Sequence, residues 1–85
     1  MDNRLTLTDR ILELVSELRP LQFQQNPIGA DDDLRSAGLN SLATVKLMMN
    51  VEEAFDIAIP NEELHPDNFR SVSAVAKLVS RLNSG

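Results

Sequence analysis

Apolar residues recur at helical spacing in three separate stretches of this chain, and no stretch competes with them as a strand, so the elements to be packed are helices. Leu7, Ile11, Leu14, Val15 and Leu18 mark one stripe. Val72, Val75, Ala76, Val79 and Leu82 mark another near the C-terminus. Between them, Leu47, Val51, Ala54 and Phe55 share one side of a predicted helix, while Leu42, Val45 and Met49 form a second strip. Together these two sets cover roughly 240° of that helix, where a surface helix needs an apolar stripe of only about 100° or somewhat more. One core does not need that much apolar surface.

Punctuation sets the boundaries. Thr6 with Asp9 reads as a capping box whose acid is one carbon short, and Pro20 stops the first helix after Leu18. From Leu21 to Asn40 the pattern is broken by Pro27, Gly29, the acids Asp31 to Asp33 and Gly38, which predicts a long loop. Such a loop suits a small domain if Leu21, Phe23, Ile28, Leu34 and Leu39 dip into the core. The three aspartates read as solvated. Asn40 is a good N-cap for a helix from Ser41 to about Phe55, with Asp56 and Pro60 beyond its end. One helical turn is expected from Asn61 to Leu64, and His65-Pro66-Asp67-Asn68 reads as a turn leading to Phe69. Ser71 caps the last helix, where Lys77 and Arg81 suit the negative end of the dipole. The expectation is an all-α fold: a small antiparallel-type bundle of three main helices plus one short helical turn, with residues 1–85 as a single domain.

Composition removes several functions. A chain of 85 residues builds one modest core and leaves little room for a deep catalytic pocket. It has no Trp or Tyr and a net charge of -5 with no basic cluster, so neither base stacking nor phosphate attraction supports nucleic-acid binding. Cysteine is absent, which excludes disulfides, thiolate metal sites and cysteine nucleophiles, and any thiol chemistry must come from a cofactor. His65 stands alone as the one histidine, giving no metal site and no credible catalytic base. No apolar run suggests a leader or a membrane span, and the cytoplasm is the default compartment.

The chemistry then falls on Gly38-Leu39-Asn40-Ser41-Leu42. It places the Ser41 hydroxyl at a helix start, where free N–H groups and the positive dipole end would stabilise a phosphodiester by about 0.3–1 kcal/mol. By itself a serine there is more often a cap. Glu52 and Glu53, near the C-terminal end of the same helix, oppose the macrodipole, so local stability does not account for them. Residues 31 to 67 carry nine acids (Asp31, Asp32, Asp33, Glu52, Glu53, Asp56, Glu62, Glu63, Asp67) against Arg35 and Lys46. Steering of basic partner surfaces is the preferred reading of Glu52 and Glu53, with plain solvation as the alternative.

From Gly38-Leu39-Asn40-Ser41-Leu42 through Val45, Leu47, Glu52-Glu53 and Phe55-Asp56-Ile57 to Ile59-Pro60, the sequence resembles the acyl carrier protein family. The resemblance implies a 4'-phosphopantetheine arm, taken from coenzyme A, attached to Ser41 and flanked by Asn40 and Leu42. It also implies that Leu42, Val45 and Met49 meet partner enzymes, the alternative being that these three merely cap the core; Lys46, Glu52 and Glu53 join them as candidate partner-binding residues. Methionine suits such a face because it repacks against different partners. The family's usual aspartate before the serine is Asn40 here, and Ala43 and Lys46 stand where fatty-acid carriers are typically acidic. The stretch from Pro60 to Val72, with its Glu63-Leu64-His65-Pro66-Asp67-Asn68-Phe69 insertion, is longer than in those carriers and is similar to discrete aminoacyl and D-alanyl carriers.

The implied function is therefore a monomeric, non-catalytic carrier of an aminoacyl or specialised acyl thioester. A phosphopantetheinyl transferase would install its arm, an adenylating ligase or synthase would load it, and a downstream transferase would unload it. The alternatives are an acyl carrier for fatty-acid or polyketide synthesis, and a helical interaction module with no prosthetic group.

Overall fold

The computed structural model describes residues 6–21 and 27–84. Among the described residues, the helices with defined bounds are α1 (Leu7–Leu18), α2 (Ser41–Phe55) and α3 (Val72–Ser84), with 3-10 turns at Asn61–Glu63 and Pro66–Phe69; Leu21, expected to open a long loop, is helical. Among the described residues there is no strand. The second 3-10 turn occupies the stretch read from sequence as a plain turn, with Pro66 in its first turn, where a missing N–H costs nothing.

Each helix starts where its capping chemistry dictates. Thr6 Oγ1 accepts from Asp9 N–H at 3.1 Å while Thr6 N–H donates to Asp9 Oδ2 at 3.2 Å, so the shortened acid still closes the capping box. Ser71 Oγ accepts from Ala74 N–H at 3.1 Å at the start of α3. The next free donor there, Ser73 N–H, reaches the loop carbonyl of Ala30 at 2.8 Å, and Leu34 N–H donates to Arg70 O at 2.8 Å. The long loop is thereby stitched to the first turn of α3. Arg19 is buried after the end of α1 and donates through Nε to Ala37 O at 2.8 Å, tying the same loop to α1.

α1 packs against both α2 and α3. Ile11 and Val15 meet Leu47 and Val51 from α2 and Val72, Val75, Leu78 and Val79 from α3, all at 0% exposure. Side chains of this kind contribute about 1.5–3 kcal/mol each when fully buried. Leu34 and Leu39 close the core from the loop, as expected, and Ile28 packs against it.

Two expectations are corrected. Leu21 is 81% exposed, because Pro20 ends α1 and the chain leaves the core face there, Arg19 taking the last buried place. Ala54 is also exposed. It sits about 60° around the helix from Val51, at the edge of the buried sector and in the last turn. Phe23, also expected in the core, lies outside the described residues.

α2 ends with Asp56 in the left-handed region at φ 54°, where a short polar side chain is tolerated. Its last turn holds no cation of its own. Arg10 of α1 supplies one: its guanidinium lies 4.4 Å from the Phe55 ring centroid, and Nη2 donates to Ala54 O at 3.1 Å. Glu52 Oε2 accepts from Ile59 N–H at 2.8 Å, folding the following chain back along the helix. The sequence reading found no local role for Glu52; this bond gives it one, since it satisfies a partly buried amide.

Candidate functional site

At the start of α2 the sequence leaves one decision open, whether Ser41 caps the helix or stands free. Asn40 takes the cap. Its backbone is extended (φ -84°, ψ -176°), Oδ1 accepts from Ala43 N–H at 2.8 Å, and its carbonyl accepts from Thr44 N–H at 2.9 Å and from Thr44 Oγ1 at 3.0 Å. Gly38 makes this possible from upstream: at φ 109° it adopts a conformation that side chains disfavour, and the turn it completes buries Leu39 and delivers Asn40 to the cap.

Ser41, the first residue of the helix, is exposed, and among the described residues its hydroxyl has no hydrogen-bond partner. The backbone N–H groups of Ser41 and Leu42 are likewise without partners among the described residues. A free hydroxyl beside two free donors at the positive end of a 15-residue helix is suited to carry a phosphate ester.

Ser41 also lines an open groove of about 360 Å³. Leu34 and Phe69 are buried and form its floor, and Val45, Met48, Leu64 and Pro66 contribute further apolar surface. Exposed Asp33, Arg35, Asp67 and Arg70 supply its charged rim. The 3-10 segments after Pro60 build one wall, held by Asn68 Nδ2 donating to Glu63 O at 2.8 Å and by the Glu63–Arg81 ion pair at 2.9 Å. Sequence reading missed this groove. Its only trace was the extra length between Pro60 and Val72.

The strip beside Ser41 is free surface. Leu42 is 65% exposed, Val45 48% and Met49 61%, so these residues do not cap the core. Leu64, which the sequence placed in a turn without a role, adds 43% exposed apolar surface across the groove. Lys46 and Glu53 are exposed on α2, and Glu52 is half-buried against Ile59 N–H. His65 is exposed in the connection, as expected, and no group of metal-binding side chains exists among the described residues. No helix among them is long and apolar enough to cross a membrane.

The phosphopantetheine attachment site family matches residues 9–79. Aminoacyl carrier protein 2 of Bradyrhizobium diazoefficiens is 37% identical over 86 aligned positions, spanning 95% of this chain and 92% of its own. The D-alanyl carrier protein of Streptococcus sanguinis is 34% identical, spanning 87% and 91%. A solved structure of an engineered Bradyrhizobium japonicum glycine:carrier protein ligase, complexed with carrier protein from Agrobacterium tumefaciens and ATP, contains a chain that superposes with a TM-score of 0.80. That chain is 34% identical, and the match covers 89% of this chain and 99% of that one.

Proposed function

This chain belongs to the phosphopantetheine attachment site family, and we propose that Ser41 is its attachment residue and an aminoacyl group its cargo. The observation that carries the assignment is the division of labour at the start of α2: Asn40 holds the cap and leaves the Ser41 hydroxyl free and exposed. When bound, the prosthetic group supplies the thiol that a chain without cysteine lacks, and the thiol holds a carboxylic acid as a thioester.

The chain's own residues do the positioning. The free N–H groups of Ser41 and Leu42 lie at the positive end of α2, where they and the helix dipole would stabilise a phosphate esterified to Ser41. The groove offers the arm a partly apolar wall beside its attachment point. Leu42, Val45 and Met49 form the surface on which partner enzymes dock, with Lys46 beside it. The chain itself is non-catalytic, and the reactions belong to the phosphopantetheinyl transferase, the loading ligase and a downstream transferase. An aminoacyl cargo, loaded through an adenylate, is supported by likeness to aminoacyl and D-alanyl carriers and to a carrier bound to a glycine ligase with ATP.

The test uses mass spectrometry. Incubation with coenzyme A and a broad-specificity phosphopantetheinyl transferase is expected to add one phosphopantetheine, and Ser41→Ala to abolish the addition. The product should then accept glycine from the Bradyrhizobium japonicum ligase in the presence of ATP. No mass change with an active transferase would refute the attachment site.

A further inference from the structure

Acids outnumber cations in the sequence around α2, but the folded chain has already committed several of them. Glu52 Oε2 holds Ile59 N–H, Glu63 is paired with Arg81, Asp32 Oδ2 accepts from Gly29 N–H at 2.7 Å, and Asp33 Oδ1 accepts from Arg35 N–H at 3.0 Å. Among the described residues the cations near Ser41 are uncommitted, as are the acids Asp67 and Glu53. Arg35, Lys46 and Arg70 are exposed, and among the described residues their side chains have no hydrogen-bond or ion-pair partner.

Position decides which charge a docking enzyme meets. Along α2, Ser41 to Val51 contains Lys46 and no acid. At a rise of about 1.5 Å per residue, Lys46 lies about 7–8 Å along the axis from Ser41 and Glu53 about 18 Å. The screening length at physiological salt is about 8 Å, so Glu53 is more than two such lengths from the attachment point while Lys46 is within one. At about 100° per residue, Lys46 also borders the exposed strip of Leu42, Val45 and Met49, where an enzyme reaching Ser41 must press.

We propose that the loading enzyme meets this strip with an apolar surface bearing a carboxylate aimed at Lys46, so that Lys46, and not Glu52 or Glu53, selects the partner. The proposal rests on the carrier reading above. It makes the docking face locally cationic on a chain whose net charge is -5. Arg35 and Arg70, on the rim of the groove that Ser41 lines, extend the same sign, against Asp33 and Asp67.

The experiment measures glycine loading of the phosphopantetheinylated protein by the Bradyrhizobium japonicum glycine:carrier protein ligase at low and physiological salt. Lys46→Glu is expected to lower kcat/KM about tenfold, through KM, with the deficit shrinking as salt rises. Glu53→Lys should stay within about twofold of wild type. Circular dichroism should show unchanged helix content in both. Carbodiimide, which couples an amine to a touching carboxylate, should join Lys46 to the ligase, and Lys46→Arg should lose that product while keeping the loading rate. Loading indifferent to the charge at position 46 would overturn the inference alone. Failure of the wild-type protein to load would overturn the aminoacyl reading, and the inference with it.

Discussion

Two neighbouring substitutions separate the fold's use of the α2 start from its chemical use. Asn40→Ala removes the side-chain acceptor that holds Ala43 N–H at 2.8 Å. Losing an N-cap of this type costs about 1 kcal/mol, within a range of about 0.5–2. Ser41→Ala removes a hydroxyl that is exposed and bonded to nothing among the described residues, so no interaction of that kind is lost. Alanine is also the better helix former, which places the expected change within about 0.5 kcal/mol of zero. For a domain of this size, 1 kcal/mol corresponds to about 4–8 °C in Tm. Urea unfolding followed by circular dichroism at 222 nm resolves the difference. Asn40→Ala should shift the midpoint and leave phosphopantetheinylation measurable, whereas Ser41→Ala should leave the midpoint in place and abolish modification. A Ser41→Ala variant destabilised as much as Asn40→Ala would show that Ser41 shares the cap, and the argument from its free hydroxyl would fail.

Gly38→Ala places a Cβ on a residue at φ 109° and should cost about 1–3 kcal/mol, read as a lower urea midpoint; an unchanged midpoint would refute the strained-turn account. Glu52→Ala leaves the Ile59 N–H without its acceptor at 2.8 Å and should cost about 1–3 kcal/mol in the same assay. Glu53→Ala, at an exposed position, should move stability by less than about 0.5 kcal/mol. Equal losses at both positions would contradict a structural role confined to Glu52.

What the sequence revealed and what it hid follow one physical division. Local chemistry was readable: Asn40 as cap, the Thr6–Asp9 box, Ser71 before α3, and the limits of α2 at Ser41 and Phe55 all depend on residues within a turn of one another. The surplus apolar strip was readable too, because 3.6-residue periodicity counts faces even when it does not say what covers them. Interactions between distant segments were not. Glu52 with Ile59, Arg10 with Phe55, and the groove lined by Leu34, Leu64 and Phe69 each join parts of the chain whose approach no spacing rule specifies. Leu21 failed for a related reason: read from the sequence as part of a loop, it had no periodicity to say which way it faces, and the structure makes it helical and exposed. Charge was the least readable property. Counting acids does not show that Asp32, Asp33, Glu52 and Glu63 each take up a bond on folding while Lys46 and Glu53 are left without a partner among the described residues.

The bonds from Ala30 O to Ser73 N–H and from Leu34 N–H to Arg70 O have a kinetic meaning. They join opposite halves of the chain, so the entropy of closing the intervening loop must be overcome before they form. Such bonds are expected to follow the local bonds within each helix, whose closing loops are far shorter. In the native state the same two amides report one opening event, since neither can be exposed to exchange unless the loop separates from the first turn of α3. Leu34, Phe69 and Arg70 line the groove beside Ser41, so that seam also governs its shape. Whatever lies along the groove is held by a seam between segments far apart in the sequence.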